Sequence, residues 1–110
     1  MESESLTTLG EELLASARSA NAGRAARTIL GGHTHRLRQT LIALLAGRAM
    51  GEHDSPGEAT IQVLRGSVRL TSTNHDWSGS EGSLGIIPPE RHELEAKEDS
   101  LVLLTVVVDL

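Results

Sequence analysis

Past Gly23 the sequence never settles into a 3.6-residue apolar period, and turn-forming residues interrupt it about every ten positions. The breaks fall at Gly31-Gly32, Gly47, Ser55-Pro56-Gly57, Gly66, Asn74-His75-Asp76, Glu81-Gly82, Pro88-Pro89 and Lys97-Glu98-Asp99. Between them lie short segments that read as strands near 25–30, 36–46, 48–53, 59–65, 67–73, 76–79, 84–87, 92–96 and 101–108. Many short strands at this spacing predict an all-β sandwich or closed barrel. At 110 residues the chain is one domain by size, with enough length for a core without staples.

Residues 1–23 are a separate N-terminal helical segment, and 24–110 the β domain. Leu6, Leu9, Leu13 and Ala17 recur at helical spacing, with Ser5 as a candidate N-cap and Asn21-Ala22-Gly23 as a stop. Gly10 weakens this helix by about 1 kcal/mol relative to Ala. One apolar stripe needs a surface to lie on, either its own barrel or a second subunit.

Alternation within the strands assigns faces. Ala59, Ile61 and Val63 share one side and are expected inside; Val68 and Leu70 alternate with Ser67, Arg69 and Thr71. His92 falls on the face of Leu94 and Ala96, opposite Glu93 and Glu95, and so points inward. Leu101–Val108 is apolar on both faces, so it is either covered twice or an interface.

Composition excludes several functions. Trp77 is the one aromatic residue, so no base-stacking platform for single-stranded nucleic acid can be built. Net charge is −5, without a Lys/Arg cluster, a poor match for a phosphate backbone. With no cysteine there is no disulfide, thiolate metal site or thiol nucleophile. The N-terminus MESESLTT is no signal peptide, and no apolar run approaches the roughly 18–20 residues that span a bilayer. A cytoplasmic location without membrane or nucleic-acid partners is expected.

The segment Gly47–Gly66 resembles the first signature motif of the cupin superfamily: Gly, five residues, His, one residue, His, three or four residues, Glu, six residues, Gly. Gly47, His53 and Gly66 fit; Ser55 stands at the second His and Ala59 at the Glu. The segment Gly82–His92 resembles the second motif through Gly82 and Pro88; Glu90 replaces a turn Gly, His92 arrives one residue early, and the usual Asn further on is unmatched. The likeness spans about residues 37–108. It implies a double-stranded β-helix, the RmlC-like jelly-roll barrel, in most cases dimeric. It also implies ligand positions of which this chain keeps His53 and His92. Ala59 cannot ligate and the Ser55 hydroxyl is a poor donor, so only a weakly bound divalent transition metal is compatible, and no cofactor is the first expectation. Glu58 would supply a carboxylate only if the strand slipped by one, which turns its apolar set outward.

Other candidates read as structural. His33 and His35 have chelating spacing but follow Gly31-Gly32, as at an exposed hairpin tip. His75 reads as a turn residue. Arg36, Arg38 and Gln39 read as a solvated strand end. Trp77 is either a ligand-stacking wall or a hairpin anchor, with packing preferred. Asp54 and Ser55 beside His53 are no triad, because sequence neighbours do not reach triad geometry. No nucleotide-binding loop, nucleophile elbow or HExxH is present.

The resulting expectation is a homodimeric small-molecule-binding barrel, with cavity residues His53, His92, Ser55, Ala59 and Trp77. The alternative is a metal- or histidine-dependent small-molecule enzyme of the isomerase or dioxygenase class using His53 and His92. A third possibility is a scaffold that dimerises through the helix and Leu101–Val108.

Overall fold

A computed structural model describes residues 1–54 and 57–109. The N-terminal helix α1 runs Leu6–Ser19. Ser5 caps it, its side chain accepting from the Thr8 backbone N–H at 3.2 Å. Nine strands follow: β1 Arg24–Leu30, β2 Leu37–Leu44, β3 Ala49–His53, β4 Glu58–Arg65, β5 Ser67–Ser72, β6 Asp76–Ser80, β7 Leu84–Ile86, β8 His92–Ala96 and β9 Ser100–Val107. They form two antiparallel sheets, one in the order β1-β2-β9-β4-β7, the other β3-β8-β5-β6. The jelly-roll expectation holds. Strand β2 is shorter than the sequence reading, because the chain turns at Leu45–Arg48, where Gly47 has φ +78°.

Two apolar clusters explain the patterning. Between the sheets, Ile42, Leu44, Ile61, Val63, Val68, Leu70, Leu94, Val102 and Val106 are buried. Each fully buried aliphatic side chain contributes about 1.5–3 kcal/mol. On the outer face of the larger sheet, Leu9, Leu13, Leu14 and Ala17 of α1 cover Leu41, Ala43 and Leu101. Strands β2 and β9 are apolar on both faces for this reason: one face meets the opposite sheet, the other the helix of the same chain. Gly10 is buried against β9, and a Cβ there would collide with the Leu101 side chain. The weak helix former is the condition for that close approach.

Gly66, at φ +86°, joins β4 to β5. A Cβ at this position would lie 2.5 Å from the Asp99 carbonyl oxygen. The buried Ser100 hydroxyl completes the corner, accepting from the Ser67 N–H at 3.0 Å. This fixes the β4–β5 crossing between the sheets and, with it, the inward faces of both strands.

Candidate functional site

Strand β3 brings His53 inside by breaking its own alternation. Ala49 pairs with Glu95 and Met50 with Leu94, so regular pairing would set Glu52 opposite His92. The register shifts between Met50 and His53, and His53 takes that place instead. One extra residue in a strand is a β-bulge, which re-aims the side chains beyond it. Glu52 is left on the outside, where its carboxylate lies 3.6 Å from Arg91. Arg91 also reaches Asp54 at 3.4 Å; these exposed pairs tie the two strands only weakly.

The two imidazoles meet edge to face, centroids 4.4 Å apart at 71°. His92 is 3% exposed, and His53 is half-buried. Each Nδ1 lies 3.0 Å from a backbone carbonyl, that of Gly51 for His53 and that of Glu90 for His92. A carbonyl only accepts, so each Nδ1 carries the proton. In the neutral ring Nε2 is then the lone-pair nitrogen.

The cavity these rings border is about 20 Å³, lined by Ile42, Met50, Ile61, Leu70, Ile87, Leu94 and Leu104. That is room for about one water, well below the roughly 300 Å³ at which small-molecule pockets begin. A cleft of about 440 Å³ adjoins it, sharing Ile61 and Leu70 as a wall. This cleft opens at the seam between the edge strands β6 and β7, and is otherwise bordered by His75, Asp76, Trp77, Gly85, Ile86, Pro88 and Pro89. Trp77 packs on the inter-sheet core, as an anchor would, and its ring also lines the cleft. Its ring sits so close to β7 that a Cβ on Gly85 would come within 2.9 Å of it.

At the rim, Glu90 receives three donors. The Ser72 hydroxyl donates at 2.5 Å and His75 Nδ1 at 2.6 Å to one oxygen; the Asn74 amide donates at 3.2 Å to the other. The bond from His75, then that from Ser72, brings the Glu90 carboxyl down to about 2, while burial opposes the shift and Asn74 adds to it. Asp76 is likewise lowered, chiefly by the hydrogen bond from Arg69. Sequence reasoning placed His75 in a turn, correctly, but missed its partner, which lies 15 positions away on the far side of two strands. No spacing rule signals such a pair.

The remaining candidates are scattered. Ser55 lies outside the described residues. Ala59 points into the core, 7% exposed, but its single methyl does not reach the cavity bordered by the histidines. His33 and His35 are exposed in the β1–β2 turn. Arg38 donates to the His35 carbonyl at 3.4 Å, and Gln39 to the Thr105 hydroxyl at 3.2 Å. Glu58 is exposed and offers no carboxylate to the interior. Among the described residues no three His, Asp or Glu side chains converge to hold a metal ion. Two imidazoles without a carboxylate do not fit a tightly held divalent transition metal.

No protein-family model matches the chain, and neither does any curated protein. Solved structures do. A protein of unknown function from Streptococcus pyogenes is 28% identical, with a TM-score of 0.72 over 83% of this chain and 79% of that one. A cupin superfamily protein from Desulfitobacterium hafniense aligns over 77% of this chain and 79% of its own, at 15% identity and a TM-score of 0.66. The fold is that of the cupins. Salicylate 1,2-dioxygenase from Pseudoaminobacter salicylatoxidans also carries this cupin fold; it matches 91% of the present chain at 16% identity and a TM-score of 0.76, but only 33% of its own length is covered. Cupin barrels thus include both proteins of unknown function and dioxygenases, so the activity must be argued from the site. Among the described residues no helix is long and apolar enough to cross a membrane.

Proposed function

We propose that this cupin-fold chain binds a small, largely apolar molecule in the Trp77 cleft and does so without a resident metal. The observation that carries the reading is the 440 Å³ cleft itself, walled by Trp77, Ile61 and Leu70, the last two of which also line the histidine cavity on their other side. The cleft has the size and apolar lining of a ligand pocket; the space between the histidines has room for no more than about one water. His53 and His92 are then the polar floor behind that shared wall.

Trp77 is the sole fluorophore of its kind in the chain, so its emission reports the cleft alone. Titration with 1,4-dimethylbenzene is expected to shift that emission saturably with one-to-one stoichiometry by calorimetry. Replacing Trp77 with Leu should weaken the probe at least severalfold. Absence of saturable binding up to the probe's solubility would reject the reading.

A second reading is favoured by the imidazole tautomers. With both Nδ1 atoms committed to carbonyls, both Nε2 lone pairs are left for a divalent metal or for proton transfer. That reading is a histidine- or metal-dependent enzyme of the isomerase or dioxygenase class. It requires a third donor, such as water or substrate oxygen. Stoichiometric iron, manganese, nickel or zinc that disappears in His53→Ala would establish it over the first.

The proposal includes a homodimer of cytoplasmic location. Leu84 and Ile86 are 62% and 83% exposed on β7, an edge strand with unpaired backbone groups. Light scattering at micromolar concentration should give twice the chain mass, and Leu84→Lys should halve it. The scaffold reading is the less favoured one, because Leu101, Val102 and Val106 are buried within the chain itself, although Val107 stays 42% exposed.

A further inference from the structure

The rim of the cleft carries an oriented imidazole outside the histidine cavity. The turn between β5 and β6 is closed by Ser72, whose N–H donates to the His75 carbonyl at 2.9 Å and whose hydroxyl accepts from the His75 N–H at 3.1 Å. Glu90 reaches that turn from the Pro88-Pro89 segment and takes the His75 Nδ1 proton into a 2.6 Å bond. An ionised carboxylate only accepts, so the proton sits on Nδ1 and the other ring nitrogen is a lone-pair acceptor in the neutral imidazole. That nitrogen makes no hydrogen bond among the described residues. The neighbouring charge is already taken: Arg69 grips Asp76 through Nε at 2.9 Å and Nη2 at 2.5 Å. The rest of the wall is apolar, with the Trp77 ring, Ile61, Leu70 and Pro88.

We propose that His75, held in place by Glu90, is a hydrogen-bond-accepting anchor for a planar phenol-type ligand whose ring occupies the Trp77 cleft. This rests on the cleft being the ligand site. The carboxylates of Glu90 and Asp76 disfavour an anion at the rim, and their existing partners leave no free acceptor charge for a cation. A neutral ring with one weakly acidic hydroxyl satisfies the free nitrogen of His75 and the apolar walls together. His75 touches the ligand; Glu90 is a positioning residue that fixes which nitrogen faces it.

The test compares 4-methylphenol with 1,4-dimethylbenzene, a close match in shape that lacks the hydroxyl. Calorimetry is run at about pH 8, above the ordinary histidine range and below that of a phenol. The phenol should bind about fivefold to tenfold tighter, the size of one well-made hydrogen bond. His75→Ala should erase that gap, bringing the two affinities together whatever their common level. Glu90→Ala, which frees Nδ1 and lets the ring turn out of its fixed orientation, should shrink the gap with His75 intact. A positional role for Glu90 in folding alone would change both probes equally. Equal affinities in the parent protein, or a gap that survives His75→Ala, overturn the anchor but leave the cleft reading standing. If neither probe binds, both fall together.

Discussion

The imidazoles of His53 and His92 face each other at 71° with centroids 4.4 Å apart, across a bulge that gives β3 one residue more than β8. Without that residue in its present place, period-two alternation from Met50 would send Glu52 into an apolar interior and His53 to solvent. Glu52 would then be an unpaired buried carboxylate, an expensive arrangement. The bulge therefore serves both folding and site: it exports an acid and imports an imidazole.

The two histidines should differ in their structural weight. His92 is buried among core residues, so His92→Ala leaves a void and an unpaired Glu90 carbonyl, with a loss of about 1–3 kcal/mol. His53 is half-buried, and His53→Ala should cost less than about 1 kcal/mol and stay folded. Urea unfolding of the two variants checks the order; equal losses would mean that the cavity is more open than described.

Gly10 sets helix propensity against packing. Gly10→Ala gains about 1 kcal/mol in helix propensity. It also drives a methyl into the buried Leu101 side chain, and overpacking of this kind costs about 1–3 kcal/mol. Packing should win, so the variant unfolds at lower urea than the parent. A stabilised variant would show that α1 can lift off β9 freely.

Gly85→Ala acts on the cleft in the same manner. Its Cβ would stand 2.9 Å from the Trp77 ring, which must swing toward the cleft. The expected result is a red-shifted Trp77 emission with weaker probe binding and a stability loss of about 1–3 kcal/mol. An unchanged emission would place the ring elsewhere.

Acid should loosen the rim before it unfolds the core. The folded Glu90 carboxyl, at about 2, lies below its ordinary 4.5, so ionised Glu90 favours the folded state above about pH 4.5. That contribution fades as pH falls from 4.5 toward 2, and is absent below both values. The stability difference between the parent and Glu90→Gln should therefore be constant near neutrality and shrink across this window. A difference that does not change with pH would mean that Glu90 is not held as an ion by Ser72 and His75.

Much of the architecture was legible because it depends on local rules. Glycines and prolines marked the turns, and aliphatic alternation put Ile61, Val63, Val68 and Leu70 inside, as found. The doubly apolar Leu101–Val108 announced two covers without saying that α1 was one of them. The likeness of Gly47–Gly66 and Gly82–His92 to cupin motifs named the two imidazoles that meet. The bulge that lets them meet has no distinct signature, since Gly51 and Glu52 are ordinary strand-edge residues. The cleft was less legible still: it is made by two edge strands, and its Glu90–His75 pair joins loops that only the closed sheets bring together. Trp77 was ambiguous in sequence because it does two things at once.

We propose that His53 and His92, with no carboxylate beside them among the described residues, are too poor in donors to keep a metal. Elemental analysis of protein purified without chelators, read against protein concentration, tests it most directly. Iron, manganese, nickel, copper and zinc are each expected well below one per chain, with His53→Ala no different from the parent. A single metal near one per chain that vanishes in that variant would contradict it.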